Sequence, residues 1–420
     1  MPAAEFPRMF RVRQHFDAPT CSDINAVVQA ELTKAGVAKK VSAGQTVAIT
    51  AGSRGITNIA EITKAIAAFF LKLGAKPFIV PSMGSHGGGT ADGQRQVIES
   101  YGITEEFCGC PIKASMETVV IGEADEGFPI YFDKFASEAD HVVVSGRIKS
   151  HTTFAGDIQS GLMKMMMIGL GKKDGAALYH KAIKVHGFPQ IIRSVAPKVV
   201  EHANVLAGVA IVENANDETA HIEAVNINDF QSRETELLAM SKKWMPKLPF
   251  KDIDILLIDQ IGKNISGTGM DTNIIGRKHT EKTADQPTIG NIIIRDITKE
   301  THGNATGIGF AEFCLNRVID KMDHEVTALN CLTALDIEGA KIPIHFATDR
   351  KALSTAMGML GLKPVNDARI VWIRNTGKLT ELICSESFQS DVSDNPSLES
   401  LTELHELPFD AAGMLPDDAF

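Results

Sequence analysis

The sequence predicts an α/β protein built from two α/β domains with mainly parallel sheets. Three observations lead to this prediction. Short apolar runs alternate with amphipathic segments through most of the 420 residues, and polar or glycine-rich loops directly follow several of the apolar runs. The segment Ser241–Phe250, which carries two prolines and three lysines, interrupts the alternation once. Strands that alternate with helices are typical of parallel sheets covered by helices on both faces.

The first half of the chain contains the clearest elements. Its apolar runs predict strands, and the segments between them, with apolar residues at helical spacing, predict helices. The predicted strands are Gln45–Thr50, Lys76–Val80 and His141–Val144, and the predicted helices are Ile56–Leu73 and Thr90–Tyr101. This half therefore forms the first domain, for which we predict residues 1–247.

The alternation resumes after the interrupting segment and predicts a second, smaller α/β domain over residues 251–387. Its strand candidates are Ile253–Ile258, Asn291–Arg295, Lys341–Phe346 and Ala368–Ile373. The acidic segment 388–420 either forms a surface tail or packs back and completes the first domain. Because ligands often bind between domains, the sequence predicts an active site in the interdomain cleft.

Composition excludes several classes of function. The net charge of −10 argues against a general nucleic-acid-binding protein. The chain has no run of eighteen apolar residues, so we expect no membrane span. Its six cysteines are scattered without a C-x-x-C pair, and the segment Met1–Arg13 lacks the apolar core of a signal peptide. These features favour a cytoplasmic protein whose partners are small molecules.

Three loops that follow predicted strands carry basic side chains. Arg54 lies in a Gly-Ser-Arg-Gly turn, His86 in a Gly-Ser-His-Gly-Gly-Gly loop, and His151 in a loop rich in serine and threonine. Each of these residues could equally be an ordinary loop residue without a role in binding or catalysis. Ligands of open α/β sheets gather beyond the carboxyl ends of the strands, so we expect these side chains to converge there.

Lys164 lies in the apolar stretch Leu-Met-Lys-Met-Met-Met-Ile, and His180 follows sixteen residues later. An amine in a dry pocket has a lowered pKa and is nucleophilic, which suits covalent attachment of a cofactor. A lysine that extends outward from a buried helix or strand would show the same flanks. The neutral imidazole of His180 is a common ligand of nickel, copper and zinc.

Two polar residues of the second domain are candidates for substrate binding. Gln260 and Lys263 directly follow the predicted strand Ile253–Ile258. From that position they could reach polar substrate groups across a cleft between the domains. Ordinary loop polarity explains this segment equally well.

Taken together, these residues resemble the nickel-pincer lactate racemase family of 2-hydroxy acid racemases and epimerases. The resemblance depends on His151, the tripeptide Phe154-Ala-Gly156, Gly161 and Lys164 in this order, with His180 at the family's spacing. His86 in its Gly-Ser-His loop extends it toward the N-terminus. In the second domain the resemblance depends on fewer residues. There Gln260 and Lys263 match a Gln-x-x-Lys pair of the family.

The resemblance implies a cofactor and a role for each of these residues. Lys164 would carry a covalently attached nickel pincer nucleotide, the nickel adduct of pyridinium-3,5-bisthiocarboxylic acid mononucleotide, made by separate maturation enzymes. His180 would complete the coordination of nickel, and His86 and His151 would form an acid/base pair. The resemblance further implies that a small 2-hydroxy acid, either lactate-like or a sugar acid, is bound by Arg54, Gln260 and Lys263.

Two other functions are compatible with the same residues. A metal-dependent hydro-lyase acting on sugar acids would use the histidines around a bare divalent ion and would need no covalent adduct. A non-catalytic two-domain protein would bind hydroxy-carboxylates without converting them. Both alternatives are kept as competing predictions.

Overall fold

A computed structural model describes residues 6–53, 55–278 and 286–420. The chain divides into two compact units. The first unit is Ala18–Met245, and the second unit combines Met1–Asp17 with Pro246–Phe420. Each unit contains its own sheet.

The chain begins with a strand of the second unit, β1 (Met9–Gln14), and then forms the whole first unit. In chain order the elements of the first unit are α1 (Ile24–Lys34), β2 (Thr46–Ala51), α2 (Ile59–Lys72), β3 (Lys76–Pro81), α3 (Ala91–Ser100), α4 (Glu105–Cys108), β4 (Thr118–Glu123), β5 (Pro129–Asp133), α5 (Lys134–Ser137), β6 (His141–Arg147), α6 (Leu162–Lys164), α7 (Lys172–His186), α8 (Phe188–His202), β7 (Val205–Glu213), β8 (Thr219–Asn226) and α9 (Phe230–Trp244).

The main sheet of the first unit has the strand order β3-β2-β6-β7-β8. Its first four strands are parallel, and β8 is antiparallel to β7. Both faces are covered by apolar layers, one around Ile49 and Phe70 and the other around Phe132 and Met167. Burial on both faces explains why β2, β3 and β6 are continuous apolar runs. The strands and helices predicted for this half are confirmed, with small differences at their ends.

The remaining elements belong to the second unit. They are β9 (Asp252–Ile261), α10 (Thr272–Ile275), β10 (Thr288–Ile297), β11 (Phe313–Leu315), α11 (Asn316–Lys321), α12 (His324–Thr333), β12 (Ile344–Phe346), α13 (Asp349–Gly358), β13 (Ile370–Ile373), β14 (Glu381–Ser385), α14 (Gln389–Asp394) and β15 (Leu398–Ser400). The sheet has the order β12-β11-β10-β9-β13-β14-β1-β15. The first five strands in this order are parallel, and the last three pair antiparallel. The predicted α/β class with mainly parallel sheets is confirmed.

The ends of the chain lie in the second unit, which differs from the predicted boundaries. The predicted first domain includes residues 1–17, and residues 388–420 are the segment predicted either to complete it or to form a surface tail. Instead β1 pairs with both β14 and β15, with Val12 opposite Leu382 on one side and Ser400 on the other. The physical reason is that a short strand such as β1 shows its alternation in sequence but not the strands with which it pairs.

Two further findings concern composition. The six cysteines are free thiols, and all except Cys21 are buried. In the parts of the chain that the structure describes, no helix combines the length and the hydropathy that a membrane crossing requires.

Candidate active site

The aromatic ring of Phe154 lies at the centre of the candidate site in the first unit. The imidazole of His151 stacks on it, with ring centroids 4.2 Å apart and an interplanar angle of 15°. The ring of His180 lies 6.2 Å from it, and Nζ of Lys164 lies 5.7 Å from its centroid. Phe188, which is buried, also stacks on Phe154 at 4.4 Å. We call these five residues the Phe154 cluster, and it brings three predicted site residues together.

The loop after β6 holds His151 through a buried glutamine. The backbone N–H of His151 donates to Oε1 of Gln159 at 2.8 Å, and Nε2 of Gln159 donates to the carbonyl oxygen of Gly156 at 3.0 Å. The ends of the loop are closed by backbone bonds between Lys149 and Ser160. The loop is therefore bonded to itself in a way that orients His151 and presents Phe154.

The hydrogen bonds of His151 select one tautomer of its neutral ring. The backbone N–H groups of Thr153 and Phe154 both donate to its Nδ1, each at 3.0 Å. An atom that accepts two hydrogen bonds cannot carry a proton itself, so the proton of the neutral imidazole is placed on Nε2. In this geometry His151 presents an N–H donor through Nε2.

Lys164 is the last residue of α6, and the chain continues directly into a π-helical turn over Met165–Gly169. Such turns are rare and are frequently found at functional sites. Met166 and Met167 of the turn are fully buried, whereas Lys164 is half-buried. The helix thus holds the lysine on an apolar base with its amine directed toward Phe154.

A buried carboxyl group supports the beginning of this helix. Oε2 of Glu234 on α9 accepts a hydrogen bond from the backbone N–H of Met163 at 3.0 Å. Glu234 is 1% exposed, and burial raises the pKa of its carboxyl group to about 7. A Cβ at Gly161 would overlap Oε1 of Glu234, so the glycine admits the carboxyl group. We had not singled out Glu234, because its sequence neighbours are those of any amphipathic helix.

His180 is the member of the Phe154 cluster that lies on α7. Burial lowers the pKa of its imidazole, and the positive charge of Lys164 lowers it further. Both effects favour the neutral ring, which is the form that binds a metal ion.

His86 lies in the loop between β3 and α3. Its Nδ1 is 2.6 Å from Oγ of Ser53, and the hydroxyl group of Tyr101 donates to the backbone oxygen of Ser53 at 2.9 Å. A serine hydroxyl can donate or accept, so it is compatible with either tautomer of His86. The backbone N–H of Gly84 donates to the carbonyl oxygen of Gly169 at 3.2 Å, which joins the loop of His86 to the π-helical turn after Lys164.

The other predicted residues are not part of this cluster. Arg54 lies outside the described residues. Gln260 and Lys263 belong to the second unit, where Gln260 is exposed near the end of β9 and Nζ of Lys263 donates to the carbonyl oxygen of Gly267 at 2.5 Å. Their roles, and the location of the site in an interdomain cleft, stay predictions.

The donor set of the Phe154 cluster fits a cofactor that brings most of its own metal ligands. Among the described residues, no group of three or more His, Cys, Asp or Glu side chains is arranged to hold a metal ion. The nickel pincer nucleotide that the resemblance implies would need only an amine for its attachment and one imidazole for the metal. Lys164 and His180 are an amine and a neutral imidazole beside the same aromatic ring.

Two comparisons with known proteins gave matches. Residues 14–188 match the family described as the lactate racemase N-terminal domain, and this range includes His86, His151, Lys164 and His180. The structure is similar to that of the lactate racemase apoprotein from Thermoanaerobacterium thermosaccharolyticum, with a TM-score of 0.51 and 16% sequence identity. The similarity covers 87% of this chain and 94% of that chain, and it shows a shared fold. No curated protein matches the sequence significantly. Over residues 14–188, the chain is therefore similar in sequence to the lactate racemase N-terminal domain.

Proposed function

We propose that this chain is an isomerase that inverts C2 of a small 2-hydroxy carboxylic acid, as a racemase or an epimerase. The match of residues 14–188 to the lactate racemase N-terminal domain supports the reaction class. The observation that carries the proposal is the Phe154 cluster, in which one amine and two imidazoles surround a single ring. Lactate-like acids and sugar acids are both within the proposed substrate class.

The proposed cofactor is a nickel pincer nucleotide attached to Nζ of Lys164, with His180 as the protein ligand of nickel. When it is bound, this cofactor supplies a hydride acceptor, which the α-hydrogen of a 2-hydroxy acid needs because that hydrogen is too weakly acidic for removal by an imidazole. The half-buried position of Lys164 and the neutral ring of His180 support this assignment. Separate maturation enzymes would supply the cofactor.

His86 and His151 are the proposed acid/base pair that moves the hydroxyl proton of the substrate. General acid/base assistance of this kind is typically worth about 10²- to 10⁴-fold in rate. The hydroxyl of Ser53 accepts either tautomer of His86, so this ring can both take up and return a proton at Nε2. The bonds to Nδ1 of His151 favour donation from Nε2. One imidazole on each side of the substrate would allow either enantiomer to react.

The carboxylate of the substrate would be bound by the remaining predicted residues. A guanidinium group such as that of Arg54 matches a carboxylate with two parallel hydrogen bonds. Lys263 would add a second positive charge, and Gln260 would bind a hydroxyl or carboxylate oxygen. Binding at several points orients C2 toward the acid/base pair.

Two measurements test this proposal. The protein, matured with its nickel cofactor, is incubated with single enantiomers of lactate and of several sugar acids, and the products are separated by chiral chromatography. We expect inversion at C2 for at least one acid. Intact-protein mass spectrometry should show a large adduct that is lost in Lys164→Ala and retained in Lys173→Ala, a matched variant of an exposed lysine.

The same measurements identify the competing functions. A protein without adduct that binds a divalent metal and dehydrates a sugar acid would be a hydro-lyase. A protein that binds a hydroxy acid and returns it with unchanged configuration after full maturation would be a binding protein. Either result would overturn the proposed isomerase.

A further inference from the structure

A lysine without exposure to solvent lies at the start of α7, the helix that carries His180. Lys172 is 0% exposed, and its Nζ donates to the carbonyl oxygen of Pro81 at 2.6 Å and to Oε1 of Gln94 at 3.1 Å. The same Nζ lies 3.0 Å from Oδ2 of Asp133, which is also 0% exposed. Three oxygen atoms from three separate segments of the first unit thus surround one ammonium group.

Gln94 connects this ammonium group to the loop of His86. Its side chain is 0% exposed, and its Nε2 donates to the carbonyl oxygen of Gly84 at 2.8 Å and of His86 at 3.3 Å. The amide of Gln94 therefore accepts from Lys172 on one side and donates to the backbone of the His86 loop on the other. The side chain of glutamine can make all of these bonds, because its amide has an acceptor oxygen and an NH₂ group with two donors.

The backbone of Lys172 is strained where the helix that carries His180 begins. Its φ is +53°, a left-handed conformation that costs a residue with a Cβ about 1–2 kcal/mol. Lys172 begins α7, the helix that carries His180. The strained residue therefore joins the helix of His180 to the end of β3 and, through Gln94, to His86.

Stability alone does not account for this arrangement. Burial raises the pKa of Asp133 and lowers the pKa of Lys172, and the attraction between the two groups opposes both shifts. A buried ion pair is often no more stable than apolar residues of similar volume would be. The contacts of Lys172 do bring the end of β3, Gln94 and Asp133 together around one ammonium group.

The loop of His86 packs closely against the first turn of α3, which carries Gln94. A Cβ at Gly87 would lie 2.6 Å from the backbone nitrogen of Gln94, and a Cβ at Gly93 would overlap the carbonyl oxygen of Gly87. The first turn of α3 thus lies directly against the glycine-rich loop. A change in the position of Gln94 would be transmitted to His86.

We propose that Gln94 and Lys172 are positioning residues, which hold His86 in a defined place relative to the helix of His180. This inference rests on the proposed function for its catalytic meaning, since His86 is a member of the proposed acid/base pair. Neither residue touches the Phe154 cluster in the contacts described above.

The test uses side-chain ¹⁵N spectra of histidine-labelled, cofactor-free protein, so its main readout does not depend on activity. The signal of His86 is assigned with His86→Gln among the 13 histidines. Gln94→Glu keeps the oxygen that accepts from Lys172. It replaces Nε2, which donates to the carbonyl oxygens of Gly84 and His86, by an oxygen that cannot donate. Lys172→Met removes the ammonium group, and Lys173→Met, which changes the adjacent exposed lysine, is the matched control.

We expect the ring signals of His86 to shift in Gln94→Glu and Lys172→Met and to stay unchanged in Lys173→Met, while those of His151 stay in place. In the matured enzyme, kcat should fall by about 10-fold or more with KM changed less than about 3-fold, and the pH profile of kcat should be displaced. Unchanged His86 signals in a folded variant would overturn the inference, as would equal shifts of His86 and His151, which indicate general disruption.

A measurement on the unmodified protein covers the case in which the variants do not fold. The side-chain amide protons of Gln94 should exchange slowly with solvent, and rapid exchange would contradict its buried bonds. If the matured protein inverts no hydroxy acid but the His86 signals move as expected, the proposed function fails and the positioning role of Gln94 and Lys172 stands.

Discussion

His86 and His151 differ in the group that binds Nδ1 of each ring, although the family resemblance treats them as a pair. The Nδ1 of His151 faces two backbone N–H donors, whereas that of His86 faces a hydroxyl group that can reverse its role. The difference is local and arises from loop geometry rather than from residue type. In the proposed acid/base pair, His86 would therefore be the more adaptable proton carrier.

This difference predicts the tautomer of His151. In side-chain ¹⁵N spectra of the cofactor-free protein, neutral His151 should carry its proton on Nε2, because Nδ1 accepts from Thr153 and Phe154. His405 provides the contrast within the same spectrum, because its Nδ1 lies 2.9 Å from the carbonyl oxygen of Glu406 and must donate. A protonated Nδ1 in neutral His151 would contradict the described loop.

Removal of either imidazole should stop turnover without loss of the metal. We expect His86→Ala and His151→Ala each to lower the rate by about 10²- to 10⁴-fold, because the hydroxyl proton then has no acceptor or donor. Nickel content, measured by elemental analysis, should stay at the level of the unmodified enzyme, because His180 is unchanged. His324→Ala, an exposed histidine of the second unit, is the control, and normal turnover by a site variant would remove that residue from the mechanism.

A titratable group of α9 supports the helix that carries Lys164. The carboxyl group of Glu234 has a pKa of about 7 in the folded chain, against an ordinary value of 4.5. Between these two pH values the folded state holds a proton that the unfolded state has released. Stability should therefore decrease as the pH rises through this window and level off above about 7.

Glu234→Gln should remove this dependence, because the amide oxygen can still accept from Met163 but the group no longer titrates. Glu234 alone should contribute on the order of 3 kcal/mol to the difference in stability between pH 5 and pH 8. Urea unfolding followed by the fluorescence of Trp244, which lies in the first unit, measures it at both pH values. An equal pH dependence in both proteins would show that Glu234 does not titrate in this range.

The contact between α3 and the glycine-rich loop allows a test of packing. Gly93→Ala should destabilise the first unit, because the added Cβ would overlap the carbonyl oxygen of Gly87, which is backbone and cannot rotate away. Gly358→Ala on α13 is the matched helical control, with nothing within 4 Å of its added Cβ. The control should be neutral or gain up to about 1 kcal/mol from helix propensity. Thermal unfolding of both variants measures the difference, and an equally stable Gly93→Ala would show that the loop is not held against α3.

Elements buried on both faces could be predicted from the sequence, and those with one exposed face could not. The parallel strands β2, β3 and β6 are apolar runs because helices cover both sides of the sheet. The hairpin of β4 and β5 was not predicted, since Val120 is 60% exposed and the alternation there is weak. Loop position, apolar flanks and family spacing singled out four candidate site residues, whose roles stay predictions: His86, His151, Lys164 and His180. Gln94, Lys172 and Glu234 were not, because burial of a polar side chain is a property of tertiary packing.

At the scale of the whole molecule, the division of the chain depends on contacts that sequence patterns do not record. The break near residue 245 was visible as a cluster of prolines and lysines. The partners of the two chain ends were not visible, because β1 joins β14 and β15 across more than 360 residues of sequence. A buried arginine binds the C-terminal segment to the same unit. No pattern in the sequence predicts that this arginine is buried.

This arginine is Arg295. Its removal should destabilise the second unit and leave the stability of the first unit unchanged. It is 0% exposed, it binds the carboxylates of Asp259 and Asp349, and its Nη2 donates to the carbonyl oxygen of Leu415 at 2.7 Å. All of these partners belong to the second unit. Arg295→Met leaves two buried carboxylates without their cation, and loss of one partner of a buried ion pair typically costs about 3–5 kcal/mol.

Hydrogen exchange measured by mass spectrometry locates this loss. Peptides from residues 246–420 should lose protection in Arg295→Met, whereas peptides from residues 18–245 should keep it, because no partner of Arg295 named above lies in the first unit. The control is Arg8→Met, in which an exposed arginine loses its ion pair with Glu386 and the expected cost is about 0–1 kcal/mol. If both units lost protection equally, they would unfold as one cooperative body, and the two sheets could not be treated as separate sources of stability.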